Sequence, residues 1–529
     1  ETLGCFGYGD GGGGCTYRMV ERLRRYEKLP GMPRVKNGTA GEFFRAAEQA
    51  WADLPVWDGE MYYENHRGTF TSQAFVKENN RKGEFVMRDI ELLGTLAGGY
   101  DKEQYEALWR VLLTNQFHDI LPGSSIHEVF ENTRKEYAAF REETAEIKEK
   151  LLLSLSANVA AENSVVVWNL LPQPVSGPVS VRVPQGFAGV DGARSIVKDG
   201  VLTFIAEAVP AVGCKRFALI KEAATADPVT AAEALLENEY LRVSIAPNGD
   251  ILSVYDKENG KEALSGPGNR LSISHDKPIH ESAWNLEKDY QLHMDYLNEA
   301  EVEVIESSPV RGAVRVTRRY HDSVITQTYT LYAGARRLDL ATHTDWRERE
   351  KVLKAEFPVE IRARYSTFHV AHGALQRPTF ANDPFQTAMF ECCAHQWVDL
   401  SESDYGVAIL NDCKYGHDIS GSLMRITLMR GPVCPDPLGD IGEQDFVYSL
   451  YPHRGGWSDG NVSGEARLLN QPLTAVYCAA GRGECETRSF LGISAPNVTL
   501  EALKAAQDGD GVILRLNETG QRRTEAFVT

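Results

Sequence analysis

Apolar residues recur at helical spacing through the first third of the chain and alternate with polar ones through most of the rest. A helix is predicted over 17–26, stopped by Pro30-Gly-Met-Pro33. Thr39-Ala-Gly-Glu42 has the form of a capping box and opens a second helix over 43–54. Thr71 starts a long helix that carries Phe75, Val86, Ile90, Leu93 and Leu96 on one face and ends at Gly98-Gly99. Asp101 opens the next, with Tyr105, Leu108, Trp109, Leu112 and Leu113 at helical spacing. Ser125-Ile-His-Glu128, a second capping-box pattern, opens the last, which runs through Tyr137 and Phe140 to Leu151. Short loops between such helices make a bundle of three or four.

Near Val165-Val-Val-Trp168 the period changes to two. Strands are predicted over 179–183, 240–245, 314–320, 324–332, 338–342 and 407–410, with glycine-bearing turns between them. The fold class is α+β multidomain: a short N-terminal piece over 1–35, a helical bundle over 36–158, a small β domain over 159–228 and a large β-sandwich region over 229–529.

Length and charge narrow the function. A chain of 529 residues suggests about three or four domains, and a net charge of −18 argues against nucleic acid or an anionic membrane as partner. No apolar run reaches the length of a membrane span. The nine cysteines are scattered without a CxxC pair, which favours reduced thiols and a cytoplasmic location. The chain opens at Glu1 without a signal-peptide pattern and ends just after a strand-like run, so both ends read as cuts through a larger structure.

Three segments carry candidate chemistry. The stretch from Asn115 to His127 ends one helix with His118 and Asp119, then turns through Pro122-Gly123 into the next. Such a corner can offer a metal one imidazole and a polar substrate one carboxylate; a hydrogen-bonded structural histidine is the bland alternative. The loop from Gly7 to Gly14 places Asp10 among glycines, where a general acid could reach over a bound sugar, or where Asp10 merely caps a turn. It also matches GxGxxG, but Asp10 would repel a pyrophosphate and no βαβ unit follows. Asn65 to Ser72 mixes His66, Arg67 and hydroxyl residues, as sugar sites do, or as a helix-start loop does. His343-Thr-Asp345 and His369-Val-Ala-His372 fall in β segments and read as structural. The acidic loop from Asp436 to Asp445 reads as solvated, with the option of leaning over a pocket.

Phe6 to Gly14, Glu64 to Ser72 and Asn115 to Ser124, in that order, resemble the glycoside hydrolase family 38 α-mannosidases, in particular the bacterial and cytosolic branch. Later blocks, Leu236 to Val243, Gly406 to Tyr415 and Leu428 to His453, are similar to the β domains of the same family. The resemblance implies an α/β catalytic domain, of which 1–35 would be a C-terminal remnant, then the bundle carrying a zinc-ligand histidine, then β-sandwiches ending short of the family's C-terminus. It implies a retaining exo-α-mannosidase that forms a covalent mannosyl-enzyme, with zinc gripping the sugar. Carried over residue by residue, His118 becomes the zinc ligand and Asp119 a substrate-binding carboxylate. Asp10 becomes the catalytic acid/base, and His66 and Arg67 face the sugar. The remaining zinc ligands and the nucleophile would lie upstream of Glu1, leaving a fragment inactive alone. The expected partner is an α-mannoside or oligosaccharide, and a homo-oligomer stays open. A noncatalytic carbohydrate-binding or scaffold fragment is the alternative. A phosphohydrolase built on His118 and Asp119 lacks partner ligands on neighbouring helices.

Overall fold

The computed structural model describes residues 2–9, 13–222 and 226–529. The chain divides into two compact units, Glu1–Tyr62 and Tyr63–Thr529. The first holds helices α1 (Tyr17–Tyr26) and α2 (Ala40–Ala50). The capping box of α2 forms as its sequence predicts: Glu42 N donates to Thr39 Oγ1 at 3.2 Å and Thr39 N to Glu42 Oε2 at 3.0 Å. Because α2 belongs to this unit, the break falls well after the position 35 suggested by the hydrophobic pattern.

The second unit begins with a three-helix bundle: α3 (Ala74–Ala97), α4 (Lys102–Asn115) and α5 (His127–Ser156). Its core joins Phe75, Met87 and Ile90 of α3 to Leu108 and Leu112 of α4 and Phe130, Tyr137 and Phe140 of α5. Gly83 lets α4 come close, since a Cβ there would stand 2.9 Å from Leu112 Cδ1. Gly98 ends α3 in the left-handed conformation, at φ 68°. Asp101 caps α4 through Gln104 N at 3.0 Å.

Three predicted helix starts shift, the first being that of α2, expected over 43–54 and found at Ala40–Ala50. The helix expected from Thr71 begins at Ala74, capped from a distant part of the chain rather than by its own threonine. The one expected from Ser125 begins at His127, with Ile126 at the cap position and no side-chain cap.

The β region holds antiparallel sheets. The largest has nine strands and includes Arg311–Tyr320, Ser323–Tyr332, Leu338–Trp346, Gly442–Arg454 and Tyr405–Asn411 as successive neighbours. A six-stranded sheet is centred on Lys351–Pro358 and Leu423–Arg430. The two face each other where Phe357 meets Tyr448 edge-on, ring centroids 6.3 Å apart. Between them Asn269 donates to Gln327 Oε1 at 3.0 Å and to Tyr329 Oη at 2.7 Å, a buried polar network whose members satisfy one another.

The last strands leave the sandwich. Thr474–Cys478 and Thr487–Ser489 join the sheet of Ser164–Asn169 and Gly213–Ile220, so the small β domain is assembled from two distant stretches of chain. The hairpin Val498–Ala505 with Val512–Glu518 lays Leu500 and Leu503 in the same core as Leu92 and Leu93 of α3. Period-two alternation marked strands but carried no information about which distant strand each would meet.

Candidate functional site

The Asn115–Gly123 corner leaves α4 through a tight set of turns. Ile120 N and Leu121 N both donate to Phe117 O, at 2.9 and 3.1 Å, and Gly123 N donates to Ile120 O at 3.0 Å. Gly123 has φ +85°, and a Cβ on it would sit 2.2 Å from Ser72 O, so the corner lies directly on the backbone before α3. This leaves His118 projecting outward, its side chain 77% exposed, with Nε2 3.4 Å from Asp119 Oδ2. The His118 ring rests on that of Phe117, centroids 4.3 Å apart. Ser124 Oγ donates to Asp119 Oδ1 at 3.1 Å and fixes the carboxylate while leaving it half open to solvent. A fixed carboxylate beside two exposed rings can accept hydroxyl protons and cover a sugar's C–H face.

What holds the corner was not foreseen. Lys77, buried on α3, donates from Nζ to Leu121 O at 2.9 Å and to Ser72 O, tying the corner to the segment beneath it. Burial pushes the Lys77 ammonium down to about 7, against the opposing attraction of Asp440. Asp440, from the loop read as solvated, accepts from Gln73 N at 2.8 Å and Ala74 N at 2.7 Å. It therefore caps α3 from the sandwich, with burial raising its carboxyl above the usual range. Its neighbour Asp436 accepts from Gln73 Nε2 at 2.8 Å and lies 3.1 Å from His127 Nδ1 at the start of α5. The acidic loop is a clamp on two helix starts.

The segment Glu64–Ser72 is also a docking surface. Gly68 faces Arg430, whose Nη1 would be 1.9 Å from a Cβ at that position. Arg430 donates to Asp276 Oδ2 at 2.6 Å, Ser72 Oγ at 3.0 Å and Asn285 O at 2.6 Å. Arg67, expected to face a sugar, donates from Nη2 to Ala388 O at 2.8 Å and lies 4.3 Å above the Phe390 ring. His66 is exposed in a left-handed conformation, φ 66°, its ring edge-on to Tyr63 at 5.3 Å. A cavity of about 320 Å³ opens beside them, between Glu64, Asn65, His280 and Glu287. Among the described residues no recorded contact joins His66 or Arg67 to His118 or Asp119.

Asp10 lies outside the described residues. His343, read as structural, meets Asp445 across neighbouring strands, Nδ1 to Oδ1 3.0 Å.

Zinc needs about four donors. His118 has the right chemistry and exposure for one, but among the described residues no group of three or more His, Cys, Asp or Glu side chains is placed to hold a metal. Those residues do not by themselves fit a zinc ion.

Comparison with known proteins gives the class. The domain descriptions "Glycosyl hydrolases family 38 N-terminal domain", "Alpha mannosidase middle domain" and "Glycosyl hydrolases family 38 C-terminal domain" match residues 1–60, 64–155 and 236–438. The chain belongs to glycosyl hydrolase family 38. It is 33% identical over 528 residues to human Alpha-mannosidase 2C1, covering 97% of this chain and 50% of that protein. It is 28% identical over 580 residues to Alpha-mannosidase G of Dictyostelium discoideum, covering 98% and 53%. The chain thus spans about half the length of these curated relatives. The crystal structure of an alpha-mannosidase from Enterococcus faecalis V583 shares the fold, with a TM-score of 0.80 at 16% identity over 97% of this chain and 70% of that one.

Two expectations are corrected. The N-terminal domain description matches residues 1–60, alongside the middle and C-terminal ones, so the chain is not a fragment in which that domain survives only as 1–35. The inference that it is inactive alone falls with it. The retaining route through a covalent mannosyl-enzyme is also withdrawn: the family match carries the class of enzyme and not the stereochemistry of its reaction. Among those residues no helix is long and apolar enough to cross a membrane.

Proposed function

We propose that the protein is an α-mannosidase that hydrolyses terminal α-linked mannose, with the His118–Asp119 corner as part of its sugar site. Supporting this reading are the family match and the names of the curated relatives, each an alpha-mannosidase. The observation that carries it is the exposure of the corner: a carboxylate and two rings face solvent while everything beneath them is braced. Asp119 accepts hydrogen bonds from sugar hydroxyls, and Phe117 and His118 pack on the ring's apolar face.

Zinc dependence is consistent with the family, and His118 is the imidazole donor the corner offers. Zinc would supply Lewis-acid binding of hydroxyls when present. Two measurements test the reading. Purified protein supplied with zinc should release the aglycone from an aryl α-mannoside and leave the β-anomer intact; no α-mannoside turnover overturns the activity. Zinc titration of wild type and His118→Ala tests the imidazole: binding lost in the variant supports His118 as a donor, and an unchanged isotherm removes it from that role.

A further inference from the structure

A cleft of about 470 Å³ lies where α3, α4, the edge of the nine-stranded sheet and the C-terminal hairpin meet. Gln116 reaches its rim, but Phe117, His118 and Asp119 do not line it.

Most of its charges are already spent within the protein, with exposed Arg515 on the C-terminal hairpin the exception. Arg81 donates to Tyr415 Oη at 2.9 Å and His395 O at 2.7 Å. Arg88 donates to Leu500 O at 3.1 Å and pairs with Asp89 at 3.1 Å. Arg467 pairs with Glu501 at 2.9 Å, and Lys504 lies 3.5 Å from Glu91. A charged ligand would have to break such pairs to gain contacts of its own.

Apart from Arg515, what remains uncommitted is neutral. His369 accepts from Gln396 N at its Nδ1, 3.2 Å away, which puts the proton of the neutral ring on Nε2 as a donor. Burial pushes His369 down to about 3 and His395 down to about 4, so both imidazoles stay uncharged near neutral pH. The His369 ring stacks on Trp397, centroids 5.7 Å apart, and the buried indole Nε1 of Trp397 has no hydrogen-bond partner. From α4, Trp109 presents its ring while its Nε1 donates to Glu91 Oε1 at 3.1 Å. Beside it Leu113 is exposed. Stacked rings, neutral donors and acceptors and compensated charge suit a polyhydroxylated, uncharged ligand.

We propose that this cleft is a second, noncatalytic binding site for a short neutral oligosaccharide. It would hold a glycan against the bundle and the sandwich without touching the His118–Asp119 corner, and it stands whether or not that corner hydrolyses mannosides.

The test is saturation-transfer NMR and calorimetric titration of the whole chain with α-linked mannotriose, maltotriose and an anionic trigalacturonate. At least one neutral trisaccharide should bind saturably and trigalacturonate should not. Leu113→Arg, which fills the mouth from an exposed position, and His369→Ala should each weaken binding by about ten-fold or more, a loss of about 1.4 kcal/mol. His118→Ala should leave this binding in place. Absence of saturable binding by both neutral sugars overturns the proposal, as does tighter binding of trigalacturonate. So does binding that Leu113→Arg spares and His118→Ala removes. Melting temperatures of the variants separate lost binding from lost folding.

Discussion

The His118–Asp119 corner and the Asp436–Asp440 loop are opposites in how their charges are used. The corner exposes its charged groups and satisfies its backbone locally, with Gly123, Ile120 and Leu121 closing turns onto residues just before them. The loop buries Asp436 and Asp440 and spends them on donors more than 300 positions away in the chain, at Gln73, Ala74 and His127. One region presents chemistry, while the other holds it in place. The difference teaches that an acidic loop between strands can belong to a helix it never touches in sequence.

Breaking the clamp should have the largest effect. Asp440→Ala leaves two buried helix-start N–H groups without an acceptor and Lys77 with less compensating charge. It should lower unfolding free energy by about 3 kcal/mol, read by urea denaturation. A loss below about 1 kcal/mol would show that water takes over the cap.

Gly123→Ala sharpens the other side of the comparison. Its Cβ meets Ser72 O and its φ is positive, so it should cost about 2 kcal/mol and disorder the corner. Unchanged exchange of the Leu121 and Gly123 amides in the variant would refute that.

Acid separates exposed from buried charge in a third way. Burial holds His369 and His417 down to about 3 and His395 down to about 4. Because these folded values lie below the unfolded value near 6.5, the unfolded chain binds more protons between about pH 4 and 6.5. Stability is therefore complete at neutral pH and falls on acidification, by up to about 1.4 kcal/mol per pH unit for each histidine. His417→Leu should flatten the slope by one proton's share; an identical slope would remove His417 from the account.

The smallest effect belongs to a cap made locally. Thr39→Ala removes one half of the α2 capping box and should cost about 1 kcal/mol, with faster amide exchange confined to 40–50. Exchange spreading into α3 would break the contrast between local and imported caps.

That contrast also decides what could be read from the sequence. Thr39–Glu42, Asp101 and Gly98 act within a turn of themselves, so these caps were legible, although the helix after Thr39 was expected over 43–54 and spans Ala40–Ala50. The α3 start was not, because Thr71 has the right composition while the acceptor comes from Asp440. Gly68 and Arg67 looked like part of a sugar loop, and the sequence held no sign that Arg430 and Phe390 would occupy them. The return of Thr474–Cys478 to the small β domain was hidden for the same reason. His118 and Asp119 were legible as a helix-to-helix corner because Pro122-Gly123 forces the turn there, while their exposure was not.

The central claim is that this corner acts on substrate while the clamp beneath it acts on stability. Turnover of an aryl α-mannoside and melting temperature, measured side by side for wild type, His118→Ala and Asp119→Asn, test it directly. The account predicts activity reduced by about 100-fold or more in both variants with melting temperature unchanged. Wild-type turnover in either variant, or a melting temperature that falls in step with activity, would contradict it.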